Sequence, residues 1–202
     1  MPPAQDMESI CTLRQSLLLI RHGETEWNYA SKRQGWRDSA LTSIGKRQMA
    51  SVRLPKNATG PIFTSDLGRA VSSAKIIAQQ YPSPVITLKL LREQRFSDCQ
   101  AQCRSVFWNK NESAEQLQKR VLLGLMQVIN YPIAGPKLIV GHGEWIRMAI
   151  AIGLPNLDIT QVPLPSNGSI TQLSISSRIL NPLDDQPFVP IVLSDQTNRG
   201  AA

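Results

Sequence analysis

The chain has 202 residues, 42% apolar and 18% charged, and carries a net charge of +7. That size and balance fit a folded domain with a substantial core and exclude a disordered chain. The longest apolar runs are too short to span a bilayer. The positive charge is scattered rather than gathered into a tract, and aromatics make up only 5%. A nucleic-acid surface is therefore not expected, whereas a field that draws anionic substrates is.

In chain order, residues 1–14 are polar, contain Pro2 and Pro3 and lack a signal-peptide pattern. They read as a loose arm. Leu17, Leu18, Leu19 and Ile20 form an apolar run that enters Arg21, His22 and Gly23, which reads as a buried strand of a mostly parallel sheet. Such sheets carry their chemistry at the carboxyl ends of strands. Asn28 to Asp38 is expected to be a surface loop carrying Gln34, Gly35 and Trp36, and Thr42 an N-cap for a helix reaching Val52.

Pro61–Thr64 reads as a strand and Ser65–Gln80 as a helix, with Arg69 in its first turn. Val85–Leu88 reads as a strand, and Leu91–Phe96 returns Glu93 towards the strand ends. Cys99–Asn111 lacks periodicity. Ser113 and Gln116 resemble a capping box for a helix reaching Asn130. Lys137–Val140 reads as a strand, Glu144–Ile152 as a helix and Ser169–Ile175 as a strand. Beyond about residue 178 comes a tail, in which Phe188–Leu193 could add an edge strand. The alternation predicts one α/β domain over residues 1–202, a three-layer sandwich with helices on both faces of the sheet. Cys11, Cys99 and Cys103 form no closed disulfide framework, and Cys99 and Cys103 lack the further ligands of a zinc site. Reduced thiols and a cytoplasmic location are expected.

The chain has two histidines, His22 and His142. Each follows an apolar run and precedes a glycine. Matching placement of so scarce a residue predicts one shared site. A fixed cation, Arg21, beside the first histidine points to an anionic ligand.

These segments carry a resemblance. RHGETEWN (21–28) resembles the signature of the histidine phosphatase superfamily, the phosphoglycerate mutase-like proteins. It continues in family order through QGWRDSALTSIG (34–45), TSDLGRA (64–70), LREQRFSD (91–98), VGHGEWIR (140–147) and NGSITQL (167–173). The resemblance implies the same α/β architecture and a nucleophilic role for His22, which would become phosphohistidine. It implies a phosphate clamp of Arg21, Arg69 and His142, with Asn28 touching the phosphoryl group. Glu93 matches the family's proton donor, and Gln34, Gly35 and Gly143 match substrate contacts. No metal and no cofactor are implied.

Departures from the family pattern bear on substrate choice. Ser97 and Cys99 stand where family members commonly carry glycine and tryptophan. The segment from Glu93 to Ser113 is short and holds only Arg104 and Lys110 as cations, where mutases carry a longer cationic lid. A mutase must shield its intermediate from water. A phosphomonoesterase is therefore the expected activity, with a mutase or an inactive phospho-ligand module as alternatives. Glu144 after the second histidine is unusual and could weaken an anionic ligand or simply favour a helix N-terminus. Trp27 and Trp36 are expected to pack rather than to bind substrate, and Arg147 to pair locally. The expected partner is a phosphorylated small molecule, with a phosphoprotein as alternative, and neither nucleic acid nor membrane. The oligomeric state is open.

Overall fold

The computed structural model describes residues 12–96, 111–153, 158–178 and 191–192. Its strands are β1 (Thr12–Arg21), β2 (Ile62–Thr64), β3 (Val85–Thr87), β4 (Lys137–Gly141), β5 (Ile170–Arg178) and β6 (Ile191–Val192). They form one sheet in the order β3-β2-β4-β1-β5-β6. β1, β2, β3 and β4 run parallel, while β5 lies antiparallel to β1. The helices are α1 (Glu26–Tyr29), α2 (Ser43–Ala50), α3 (Gly68–Gln80), α4 (Ala114–Ile129) and α5 (Gly143–Gly153).

Strand alternation sorts the core into two layers. Leu17, Leu19, Phe63 and Ile139 face α4 and α5, where they meet Val121, Leu125, Trp145 and Ile146. Leu18, Ile20, Ile62, Leu138 and Val140 face α2 and α3, where they meet Met49, Ala74 and Ile77. The run Leu17–Ile20 is continuously apolar because both faces of β1 are covered. The expected sandwich is thus observed.

The caps obey local chemistry. Thr42 Oγ1 accepts the Gly45 N–H at 3.0 Å, and Ser113 with Gln116 forms the expected capping box. Three expectations are corrected. The loose arm ends sooner, because Thr12, Leu13 and Arg14 pair with Arg178, Ser177 and Ser176 of β5. Asn28 lies in the one-turn helix α1 rather than in a loop, because it completes a capping box with Thr25. α3 starts at Gly68, since Ser65 Oγ takes the Leu67 N–H and Asp38 takes the N–H groups of Gly68 and Arg69. Ile191 and Val192 pair with Ser176 and Ile175 within the expected edge strand. Ser97, Cys99, Cys103, Arg104 and Lys110 lie outside the described residues. Among the described residues no helix is long and apolar enough to cross a membrane.

Candidate active site

The register of the two central parallel strands builds the site. Arg21 pairs with Gly141, so His22 and His142 leave adjacent strands side by side. Their rings meet edge to face with centroids 5.2 Å apart. β2 lies beyond β4, with Thr64 opposite Val140. Ser65 therefore follows β2 beside His142, and Arg69 stands one turn later.

His22 is buried. Its Nδ1 lies 2.8 Å from the Gly23 carbonyl and its Nε2 accepts from Arg69 Nε at 3.2 Å. A carbonyl can only accept, so Nδ1 carries the proton and Nε2 keeps its lone pair. Burial, then the Arg69 charge, pushes the His22 pKa down to about 3, so the ring is neutral near pH 7. The Gly23 N–H donates to Ser73 Oγ at 3.1 Å. A Cβ on Gly23 would run into the Gly45 carbonyl, so this turn needs a residue without a side chain.

Arg69 is held on several sides. Its NH1 donates to Asp38 Oδ1 at 2.9 Å and to the Arg37 carbonyl at 2.7 Å, and its NH2 to the Gly35 carbonyl at 2.8 Å. Asp38 also receives the backbone N–H groups of Gly68 and Arg69. The buried guanidinium thus has a counter-ion and a fixed fork. Arg21 reaches the Pro165 carbonyl through NH1 at 2.5 Å, and its buried Nε lacks a hydrogen-bond partner.

His142 lies fully buried beneath these groups. Its Nε2 is 2.7 Å from Ser65 Oγ, while its Nδ1 lacks a hydrogen-bond partner. Burial, then Arg69, holds its pKa well below the ordinary histidine value. Asn28 is oriented by its neighbours. Its Oδ1 faces the Thr25 N–H at 3.2 Å and Asn167 Nδ2 at 3.3 Å. Its amide nitrogen consequently faces away from these donors. Asn167 Nδ2 also donates to the His22 carbonyl at 2.9 Å.

Glu93 stands at the opening of α5. Its Oε1 accepts the N–H groups of Gln94 at 2.9 Å, Glu144 at 3.2 Å and Trp145 at 3.3 Å. Burial dominates nonetheless and raises its pKa above the usual carboxylate value. Glu144 forms an ion pair with Arg147 at 3.0 Å, and Arg147 also binds the carbonyls of Ile159 and Val162. The Glu144 charge is thereby compensated next to the site. Trp36 packs under the guanidinium groups of Arg92 and Arg95, and Arg37 lies over Trp27.

A cavity of about 420 Å³ opens over these groups. Arg21, His22, Asn28 and Arg69 line its inner part together with Gln34, Gly35, Glu93 and Gly143. Of the residues expected from the sequence, His142 alone is off the wall, packed behind His22. Ser31, Lys32 and Arg33 line the same cavity, and Ser31 adopts a φ of 53°, a conformation rare for residues with a side chain. Asp38, Ser65, Ser73, Trp36 and Asn167 support the site, although no local pattern marks them as site residues. Each is a common polar or aromatic residue whose signal lies only in its hydrogen bonds.

The profile of the histidine phosphatase superfamily (branch 1) matches residues 17–179. A "probable phosphoglycerate mutase GpmB" from Yersinia enterocolitica is 32% identical over 162 residues, covering 69% of this chain and 75% of that protein. Among solved structures, a mycobacterial glucosyl-3-phosphoglycerate phosphatase in complex with VO3 superposes with a TM-score of 0.65 at 25% identity. It covers 80% of this chain and 93% of the other. Bacillus stearothermophilus YhfR gives a TM-score of 0.68 at 24% identity over 88% of this chain and 96% of the other, a likeness of fold. The strand-end histidine pair and the profile agree: this chain belongs to the histidine phosphatase superfamily, branch 1.

Proposed function

We propose that this chain is a metal-independent phosphomonoesterase that acts through a phosphohistidine on His22. The observation that carries this reading is the tautomer of His22. Its Nδ1 proton is engaged by the Gly23 carbonyl, which leaves Nε2 as a neutral nucleophile beside Arg69. Nε2 attacks phosphorus, and the bond from phosphorus to the ester oxygen breaks. Glu93, whose burial favours the neutral carboxyl, gives its proton to the departing alkoxide. The Glu93 carboxylate then takes a proton from water as the water oxygen attacks phosphorus. Phosphate leaves, and His22 returns neutral.

Arg21, Arg69 and the Asn28 amide bind the phosphoryl oxygens. Two guanidinium groups thus supply the positive charge that the transition state needs. His142, though off the cavity wall, has its unpartnered Nδ1 available as a donor where a bound phosphoryl group draws the ring forward. Gln34, Gly35 and Gly143 contact the substrate. A phosphorylated small molecule fits a cavity of this size. One domain over 1–202 and a cytoplasmic location belong to the same proposal.

The names of the matched relatives favour a second reading, phosphoryl return to a phosphoglycerate. The short segment between Glu93 and Ser113 speaks for water as acceptor. The test is steady-state phosphate release from a panel of monoesters with EDTA present. Turnover that survives EDTA is expected. Vanadate binding without any turnover would overturn the proposal in favour of a phospho-ligand module.

A further inference from the structure

Glu93 sits on a stretch of chain with little regular structure of its own. It comes after β3, a three-residue edge strand, and a single 3-10 turn, Lys89–Leu91. Among the described residues, the hydrogen bonds to its carboxylate come from backbone N–H groups. One of these groups belongs to neighbouring Gln94 and two to the start of α5, so the main chain of Glu93 must deliver the carboxyl to α5.

That main chain is gathered by one side chain of α4. Arg120 NH1 donates to the carbonyls of Leu90 at 3.0 Å and Arg92 at 2.6 Å, and NH2 to the Glu93 carbonyl at 3.1 Å. Nε and NH2 also meet the two Glu112 oxygens, each at 2.7 Å. These bonds match the five N–H donors of a guanidinium. Glu112 in turn receives the Arg95 N–H at 3.1 Å, and its carbonyl takes Gln94 Nε2 at 3.1 Å. The residues on both sides of Glu93 are thus tied to a single ion pair, whose side chains are 15% and 9% exposed. From the opposite side, Trp36 Nε1 donates to the Glu93 carbonyl at 2.7 Å.

We propose that Arg120, with Glu112 as its counter-ion, is a positioning residue that sets the Glu93 carboxyl against the reacting phosphoryl group. A buried ion pair by itself adds little stability. Trp145 Nε1 also holds the Leu90 carbonyl at 2.9 Å and Asp66 holds the Arg92 guanidinium, but Arg120 is the side chain that collects three carbonyls within four residues. Lysine offers a compact point charge and cannot reproduce the planar fork. His22, Arg21 and Arg69 are held by hydrogen bonds to Gly23, Pro165, Asp38 and the carbonyls of Gly35 and Arg37, so these three groups do not lean on the hydrogen bonds of Arg120.

The inference rests on the proposed acid role of Glu93, and the experiment separates the two. Arg120→Lys, Glu93→Gln and the double variant are compared in single-turnover phosphorylation by an alkyl phosphate and by p-nitrophenyl phosphate. Circular dichroism and vanadate affinity are measured alongside. Arg120→Lys is expected to slow the alkyl reaction by ~10- to 100-fold, a part of what general acid catalysis supplies. The p-nitrophenyl rate should change less than about threefold, since that leaving group needs no proton. Vanadate affinity should stay as in the wild type, and the double variant should be no slower than Glu93→Gln.

Equal losses on both esters for Arg120→Lys alone, or additive losses in the double variant, overturn the positioning role. Equal losses on both esters for Glu93→Gln overturn the acid role instead. In that case the Glu93 carboxyl, observed by 13C NMR, still decides: its titration should move in Arg120→Lys, and an unmoved titration overturns the inference. Should Arg120→Lys fail to fold, Glu112→Gln is measured in the same way. It is expected to reduce the alkyl rate selectively, and wild-type selectivity overturns the proposal.

Discussion

At the scale of single residues, the proposed chemistry depends on the protonation states of two buried histidines, His22 and His142, and of the half-buried Glu93. An ordinary histidine nucleophile would lose activity below about pH 6.5, its unperturbed value. With His22 pushed down to about 3, no such limb is expected once the substrate's own ionisation is divided out of kcat/KM. Glu93 titrates above the usual carboxylate value. Activity on alkyl phosphates is therefore expected to fall as pH rises through the raised pKa of Glu93, above the usual carboxylate range, and Glu93→Gln should remove this limb. An acid limb centred near 6.5 that disappears on replacing His142 would assign the titration differently.

The same shifts enter stability. Below about pH 6.5 the unfolded chain takes up protons that His22 and His142 refuse when folded. Their contribution is thus present above that pH and is lost as pH falls towards the folded values. The expected slope is on the order of 1.4 kcal/mol per pH unit for each histidine. Glu93 acts in the opposite sense, losing its contribution as pH rises. Urea midpoints from pH 7 to 4 should fall less steeply in His22→Gln than in the wild type. Arg69→Ala removes a donor aimed at developing charge and should cost ~10²- to 10³-fold in kcat/KM, with vanadate inhibition weakened in parallel. Near-wild-type kinetics would place Arg69 outside the chemistry. His22 and His142 are legible in the sequence because each follows an apolar strand and precedes a glycine, and Arg21 because it is the fixed cation beside the first of them. Asp38 and Asn167 lie inside the matched segments, but their roles are not legible, because a carboxylate or amide thirty or more residues from its partner leaves no local pattern of that contact.

At the scale of elements, periodicity locates every strand that borders the site, while contacts set their ends. α3 is a case in point. Its first N–H groups are capped by Asp38, a residue from the loop before α2, so no local signal marks Gly68 as the start. Likewise β1 extends back to Thr12 because β5 offers it a partner. α2 gives a test in which propensity and packing disagree. Gly45 lies in its first turn, and alanine would favour the helix by ~1 kcal/mol. A Cβ there would collide with the Glu24 carbonyl beside the turn that carries His22. Packing should win, since overpacking costs ~1–3 kcal/mol. Gly45→Ala is expected to lower the urea midpoint and to slow turnover. A stabilised variant with full activity would show that the turn yields.

At the scale of the molecule, the two residues to which the proposed mechanism gives the nucleophile and acid roles live in different parts of the sheet. His22 ends β1, which has strands on both sides, whereas Glu93 lies past β3 at the edge. Interior strands open only with the whole fold, while edges open at lower free energy. Mild urea is therefore expected to loosen the acid while the nucleophile remains seated. Hydrolysis of alkyl esters should fade at concentrations where p-nitrophenyl phosphate is still turned over and the circular dichroism is unchanged. Parallel loss of both activities would show that edge and centre open together. Partial unfolding would in that way act as a filter on chemistry: the protein would lose its demanding substrates before it lost its shape, and the ratio of two rates would report the integrity of one sheet edge.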